Sequence, residues 1–189
     1  MDIGYRYRLI GDSDMMGRVF REIAKAVIMA VVLIYMVLAA EFESFSQPFV
    51  IMMSLPFAVI GAVLGLLVAN QTANMMALIG FTMLLGLVTK NAILLIDYAN
   101  QARARGMAIR EAVMEACSLR LRPILMTTLS TLLGMLPVAL GLGAGAELRQ
   151  SMGVVLIGGL TTSTILTLVV VPLIYILTEE WKISRTDKF

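Results

Sequence analysis

The chain has 189 residues, of which 59% are hydrophobic and 15% charged, with a formal net charge of +2. A soluble domain cannot hide that much apolar surface, so the composition places the chain among polytopic membrane proteins and leaves little room for a separate soluble domain. A single cysteine, Cys117, and no histidine argue against an internal disulfide, histidine-metal chemistry and redox cofactors, and the small net charge implies no nucleic-acid partner.

Residues 1–21 lack the charged start, apolar core and cleavage site of a signal peptide. Ile3, Tyr5, Tyr7 and Leu9 alternate with Gly4, Arg6 and Arg8, which predicts a short strand ending at Gly11-Asp12. Asp12, Ser13 and Asp14 are candidate N-caps for a helix that carries Arg18, Arg21 and Lys25 before it turns wholly apolar. Apolar runs then follow at 23–40, 49–69, 76–99, 123–142 and 152–178, each near the roughly 20 residues a bilayer demands. The expected fold is therefore all-α: a membrane bundle of five transmembrane helices, with a strand remnant at its start and an amphipathic helix over 108–119.

The connections set the expected orientation. Residues 41–48 form a short turn whose Phe42 and Phe45 suit the interface, with Glu41 and Glu43 outward. The 70–75 loop is neutral, whereas 100–122 carries Arg103, Arg105, Arg110, Arg120 and Arg122 and is expected in the cytoplasm. Parity then puts the N-terminus outside and the tail 181–189, with Lys182, Arg185 and Lys188, inside. Arg6, Arg8, Arg18 and Arg21 break the positive-inside pattern unless a large translocated domain normally precedes them.

Chemistry concentrates in two runs. Gly86-Leu87-Val88-Thr89-Lys90-Asn91-Ala92-Ile93-Leu94-Leu95-Ile96-Asp97 places a lysine inside hydrocarbon, at an insertion cost of roughly 2.5–3.5 kcal/mol that marks it as a functional candidate. Lys90 lies about 10 Å from Asp97 at the ordinary helix rise, a strained reach for snorkelling. Arg120-Leu121-Arg122-Pro123-Ile124-Leu125-Met126-Thr127 opens the fourth span, with Pro123 suited to a first helical turn and Thr127 about 8 Å inside. Antiparallel spans put Lys90 and Thr127 at similar depth, in a polar layer that contains no acid. A buried lysine calls for a counter-charge, so a carboxylate on another segment is the natural completion.

These runs resemble a known family. Ala40-Glu41-Phe42-Glu43-Ser44-Phe45 with Pro48, the Thr-Lys-Asn-Ala-Ile-Leu core of 89–94, Arg120 to Thr127, Gly143-Ala144-Gly145-Ala146, Gly158-Gly159-Leu160 and Val171-Pro172 look like the C-terminal half of resistance-nodulation-division efflux transporters, in particular their hydrophobe and amphiphile (multidrug) branch. The resemblance spans nearly the whole chain. It implies that Lys90, Asn91, Thr127 and Arg120 belong to a proton relay facing two aspartates on the absent N-terminal half. It further implies drug:proton antiport across a bacterial inner membrane, a homotrimer when complete, and a periplasmic adaptor and outer-membrane channel as partners. Residues 1–20 then look like the remnant of a periplasmic porter domain and linker, 21–180 the transmembrane domain and 181–189 the cytoplasmic tail.

Competing readings are a non-transporting membrane module and an exporter of metal ions or another cargo. Fifteen methionines raise copper export, but they are scattered, and the pairs Met15-Met16, Met52-Met53 and Met75-Met76 are the reason to keep it. Gly61 and Gly65 suit either bundle packing or an oligomer face, and Thr161, Thr162, Ser163, Thr164 and Thr167 either helix packing or a proton path. No nucleophile, base and oxyanion set converges and no phosphate loop is present, so the chain reads as a transporter fragment without an enzyme's site or cofactor.

Overall fold

The computed structural model describes residues 12–143 and 145–186, with side chains described over 17–143 and 145–181. Six helices follow in order: α1 Asp12–Glu41, α2 Ser46–Met52, α3 Ser54–Val68, α4 Met75–Ala104, α5 Ile109–Ala139 and α6 Ala146–Thr186. They make five spans long and apolar enough to cross a membrane, α2 and α3 together forming the second. No strand occurs among the described residues. The predicted strand at 3–9 lies outside them, as do the side chains of Asp12, Ser13, Asp14, Lys182, Arg185 and Lys188.

Span lengths follow from the apolar runs, but three local features do not. The second span breaks at Met53 because Pro56 has no N–H to give the carbonyl one turn earlier. Beside the break, buried Ser54 donates from Oγ to the Ile51 carbonyl at 2.7 Å, so its hydroxyl is satisfied within the span. The segment expected as a separate amphipathic helix runs without interruption into the fourth span, so Pro123 sits in the interior of α5 and not in its first turn. The basic loop shrinks accordingly to residues 105–108, where Gly106 takes φ +92°, a value a side chain would resist. Finally, of the two phenylalanines placed at the interface, Phe45 is exposed while Phe42 packs against the core.

The bundle is organised around α6, which packs against α3, α4 and α5, while α1 lies at the periphery and is mostly exposed. Close approach makes this possible. A Cβ built on Gly158 would sit 2.6 Å from the Gly61 carbonyl oxygen and 3.0 Å from the Gly65 Cα, and one on Gly61 would meet Thr162 and the Gly158 carbonyl. The Gly61/Gly65 pair therefore faces a helix of its own bundle, where backbone contact replaces side-chain interdigitation. Two apolar cores result. One gathers Leu55, Ala58, Ala62, Leu66, Leu84, Val88 and Val155. The other gathers Val50, Ile51, Ala92, Ile96, Ala116, Val171 and Tyr175 at the end of the bundle bearing the basic loop.

Asn74 starts α4 by accepting the Ala77 N–H at 2.9 Å, and its amide donates to Ser151 on α6 at 2.8 Å, fixing the register of the two helices. Gly158→Ala should lower stability by about 1–3 kcal/mol, several degrees of apparent melting temperature in detergent, because the backbones must part. At Gly134 nothing lies within 4 Å of an added Cβ, so Gly134→Ala should be neutral or stabilise by up to about 1 kcal/mol through helix propensity. Equal melting shifts for the two variants would contradict the close-contact account.

Candidate functional site

Lys90, Asn91, Arg120 and Thr127, singled out from the sequence, all line one pocket of about 120 Å³ between α4, α5 and α6. Leu87, Leu94, Ile124, Thr128, Thr131 and Leu160 complete most of its wall. Helical spacing produces this convergence. Leu87, Lys90, Asn91 and Leu94 form one stripe of α4, and Arg120, Ile124, Thr127, Thr128 and Thr131 the matching stripe of α5. The antiparallel hairpin places the stripes opposite each other.

Lys90 lies on an exposed face of the bundle and makes no hydrogen bond or ion pair among the described residues. Arg120 also reaches the pocket, and its Nε is buried with no hydrogen-bond partner. The hydroxyl of Thr127 donates back to the Pro123 and Ile124 carbonyls at 3.1 and 3.0 Å, while buried Thr128 meets Thr164 of α6 at 3.4 Å. None of the lining residues is a carboxylate. Two cations, an amide and three hydroxyls thus surround a small space, an arrangement that favours an anion or an ionised acid.

Beyond the pocket, toward the basic loop, lies a cluster the sequence reading missed. Tyr98 carries two guanidinium groups over its ring, with Arg120 Cζ at 5.3 Å and Arg105 Cζ at 5.5 Å from the centroid. Its hydroxyl donates to Glu115 Oε1 at 2.9 Å, and Glu115 also lies 3.6 Å from Arg105. The neighbouring Tyr98 side chain, and after it the Glu115 carboxylate, hold the exposed Arg105 above its ordinary pKa against desolvation. Thr128 and Thr131 were legible from helical period; a ring shared by two arginines from different elements was not.

A second network locks the basic end. The side-chain amides of Gln47 and Asn100 pair head to tail at 2.8 and 3.2 Å, and Tyr175 donates its hydroxyl to Asn100 Oδ1 at 2.6 Å. Arg103 is paired with Glu179, and Arg110 Nε donates to Glu180 Oε1 at 2.9 Å. α2, α4, α5 and α6 are tied together by groups that hydrocarbon would otherwise penalise. Of the hydroxyls on α6, Ser163 bonds its own helix and Thr164 reaches Thr128, while buried Thr167 has no hydrogen-bond partner for its Oγ1.

The sequence model of the AcrB/AcrD/AcrF family matches residues 1–179. The chain belongs to that family, the resistance-nodulation-division efflux transporters. A solved structure of a heavy metal efflux pump superposes with a TM-score of 0.81 over 93% of this chain at 31% sequence identity. The chain spans 18% of the length of that pump. As an AcrB/AcrD/AcrF family member with five spans, it is a multi-pass membrane protein and part of the membrane portion of such a transporter.

Arg103→Ala would remove the guanidinium paired with the nearly buried Glu179 carboxylate. The expected cost is about 2 kcal/mol, below the roughly 3–5 kcal/mol of a fully buried pair, because Arg103 keeps 30% of its side chain exposed. Replacing both partners by apolar residues, Arg103→Met with Glu179→Leu, should recover most of the loss. Thermal unfolding in detergent distinguishes this from a pair of no consequence, for which Arg103→Ala would melt with the parent.

Proposed function

We propose that this chain is the C-terminal transmembrane part of a proton-motive-force-driven exporter of hydrophobic or amphiphilic compounds, and that its pocket supplies the lysine side of the proton relay. The supporting observation is the convergence of Lys90, Asn91, Thr127 and Arg120 on one small pocket that holds two cations and no acid. In this reading a carboxylate pair from another transmembrane segment faces the open side of the pocket. While ionised it pairs with Lys90, and Asn91 and Thr127 line the space in which that pairing forms. Protonation removes the attraction that holds Lys90, and the two states become alternative positions of α4 against its partner. A proton crossing down the gradient gains about 2.3 kcal/mol per 100 mV of membrane potential, which is the scale of the work available to helix movement.

The rest of the reading follows the family. Residues 1–20 would be the end of a periplasmic porter domain, 21–180 the transmembrane unit and 181–189 a cytoplasmic tail, in a bacterial inner membrane with the N-terminus periplasmic. The working assembly would be a homotrimer joined to a periplasmic adaptor and an outer-membrane channel.

Cargo has a second reading. Similarity to a heavy metal efflux pump favours metal-ion export, and the methionines offer soft ligands for it. Editing the gene to Lys90→Ala should cut uncoupler-sensitive export at least tenfold while the protein still accumulates in the membrane. Ethidium and silver(I), loaded separately, assign the cargo: loss for ethidium supports the amphiphile branch, and loss for silver(I) the metal branch. Export of both probes unchanged by Lys90→Ala would overturn the relay assignment.

A further inference from the structure

Arg120 poses a problem of placement. Its side chain reaches the pocket and its Nε is buried without a hydrogen-bond partner, so no acceptor holds that atom. A long cationic side chain near the end of a span, held by nothing, would turn toward the adjacent polar loop. What lies against it is the Tyr98 ring at 5.3 Å, and the ring in turn is fixed by its hydroxyl bond to Glu115.

We propose that Tyr98, tethered by Glu115, is the positioning residue that seats Arg120 at the mouth of the Lys90 pocket. The inference rests on the relay reading above and assigns the relay a support that the sequence motif does not contain. A carboxylate in direct contact would also hold Arg120, but it would neutralise the cation and occupy its N–H donors. An aromatic face holds a guanidinium through the ring quadrupole and leaves the donors free. Glu115 still supplies a nearby negative charge, held by the Tyr98 hydroxyl and by Arg105 at 3.6 Å. Tyr98 lies eight residues, about two turns of α4, from Lys90, so the seat moves with the helix that carries the lysine.

The test uses the chromosomal gene encoding this chain and uncoupler-sensitive export of ethidium and of silver(I) from energised cells, with membrane levels followed by immunoblot. Tyr98→Leu should lower export of the transported probe about tenfold, the order a desolvated cation–π contact supports, and Tyr98→Phe should stay within about threefold because the face remains. In an Arg120→Lys background, where the flat guanidinium is gone, Tyr98→Leu should change export less than twofold, since two residues acting as a unit are non-additive. If Tyr98→Leu does not accumulate, Glu115→Ala replaces it, with an expected loss of about threefold that again vanishes in Arg120→Lys. Export by Tyr98→Leu equal to the parent, while Lys90→Ala abolishes it, overturns the seat and leaves the relay standing. A full effect of Tyr98→Leu in both backgrounds also overturns it, because Tyr98 would then act without Arg120. A parent that exports neither probe overturns the relay reading and this proposal with it.

Discussion

Backbone contact between α3 and α6 is the constraint on which the bundle depends. With the Gly61 carbonyl where a Gly158 side chain would begin, the two helices approach more closely than any side-chain packing allows, and α6 becomes the axis around which α4 and α5 must stand. In hydrocarbon no hydrophobic force gathers helices, so close van der Waals contact and shared polar groups carry the association. The Asn74–Ser151 bond then sets how far α4 slides along α6, and the Gln47–Asn100–Tyr175 chain repeats the restraint at the opposite end. With α4 held at both ends, Lys90 in its middle has a defined height and a defined facing direction.

That rigidity bears on how Lys90, with no partner among the described residues, is accommodated. The polar network at the basic end satisfies its own charges, Arg103 with Glu179 and Arg110 with Glu180, and the pocket stands apart from it as a region of uncompensated positive charge. A fold that pairs Glu179 and Glu180 at its basic end and leaves Lys90 within the span, with Arg120 nearer the span's end, presents a surface complementary to an acidic one. Membrane insertion alone would select against Lys90. On the proposed reading, pairing with a carboxylate of another segment offsets that cost, and a group that is stable only when paired is suited to sensing whether its partner is ionised.

Much of this was legible in the sequence because the bilayer imposes length. Each of the five apolar runs falls on its own observed span: 23–40, 76–99 and 152–178 lie wholly inside theirs, while 49–69 and 123–142 run past the helix ends at Val68 and Ala139, since a span must cover a fixed thickness whatever its packing. Irregularity inside a span was not legible: apolar runs do not show that Pro56 breaks the ladder at Met53, or that Pro123 is absorbed into the interior of α5. In the site, Lys90 and Thr127 stood out by depth alone, and Thr128 and Thr131 follow from period. Tyr98 could not be found this way. Its meaning depends on which residue of α5 lies opposite it, and the register of two helices is decided by packing across the bundle, with no mark in either helix taken separately.

The size of the pocket bears on what this part of the molecule does and does not decide. Sites for drug-sized ligands occupy roughly 300–1,000 Å³ and enclose most of the ligand. At about 120 Å³ the Lys90 pocket has room for the head of one or two side chains and a few waters, and not for an amphiphilic drug. A relay of this kind reads the protonation of a facing acid and is indifferent to cargo, so its residues fit an exporter of amphiphiles and an exporter of metal ions equally well. On the proposed relay reading, cargo choice belongs to surfaces away from this pocket, and energy coupling belongs to it. On that reading the chemistry that distinguishes the two cargo classes need leave no trace in Lys90, Asn91, Thr127 or Arg120, and it is to be sought on other surfaces of the transporter.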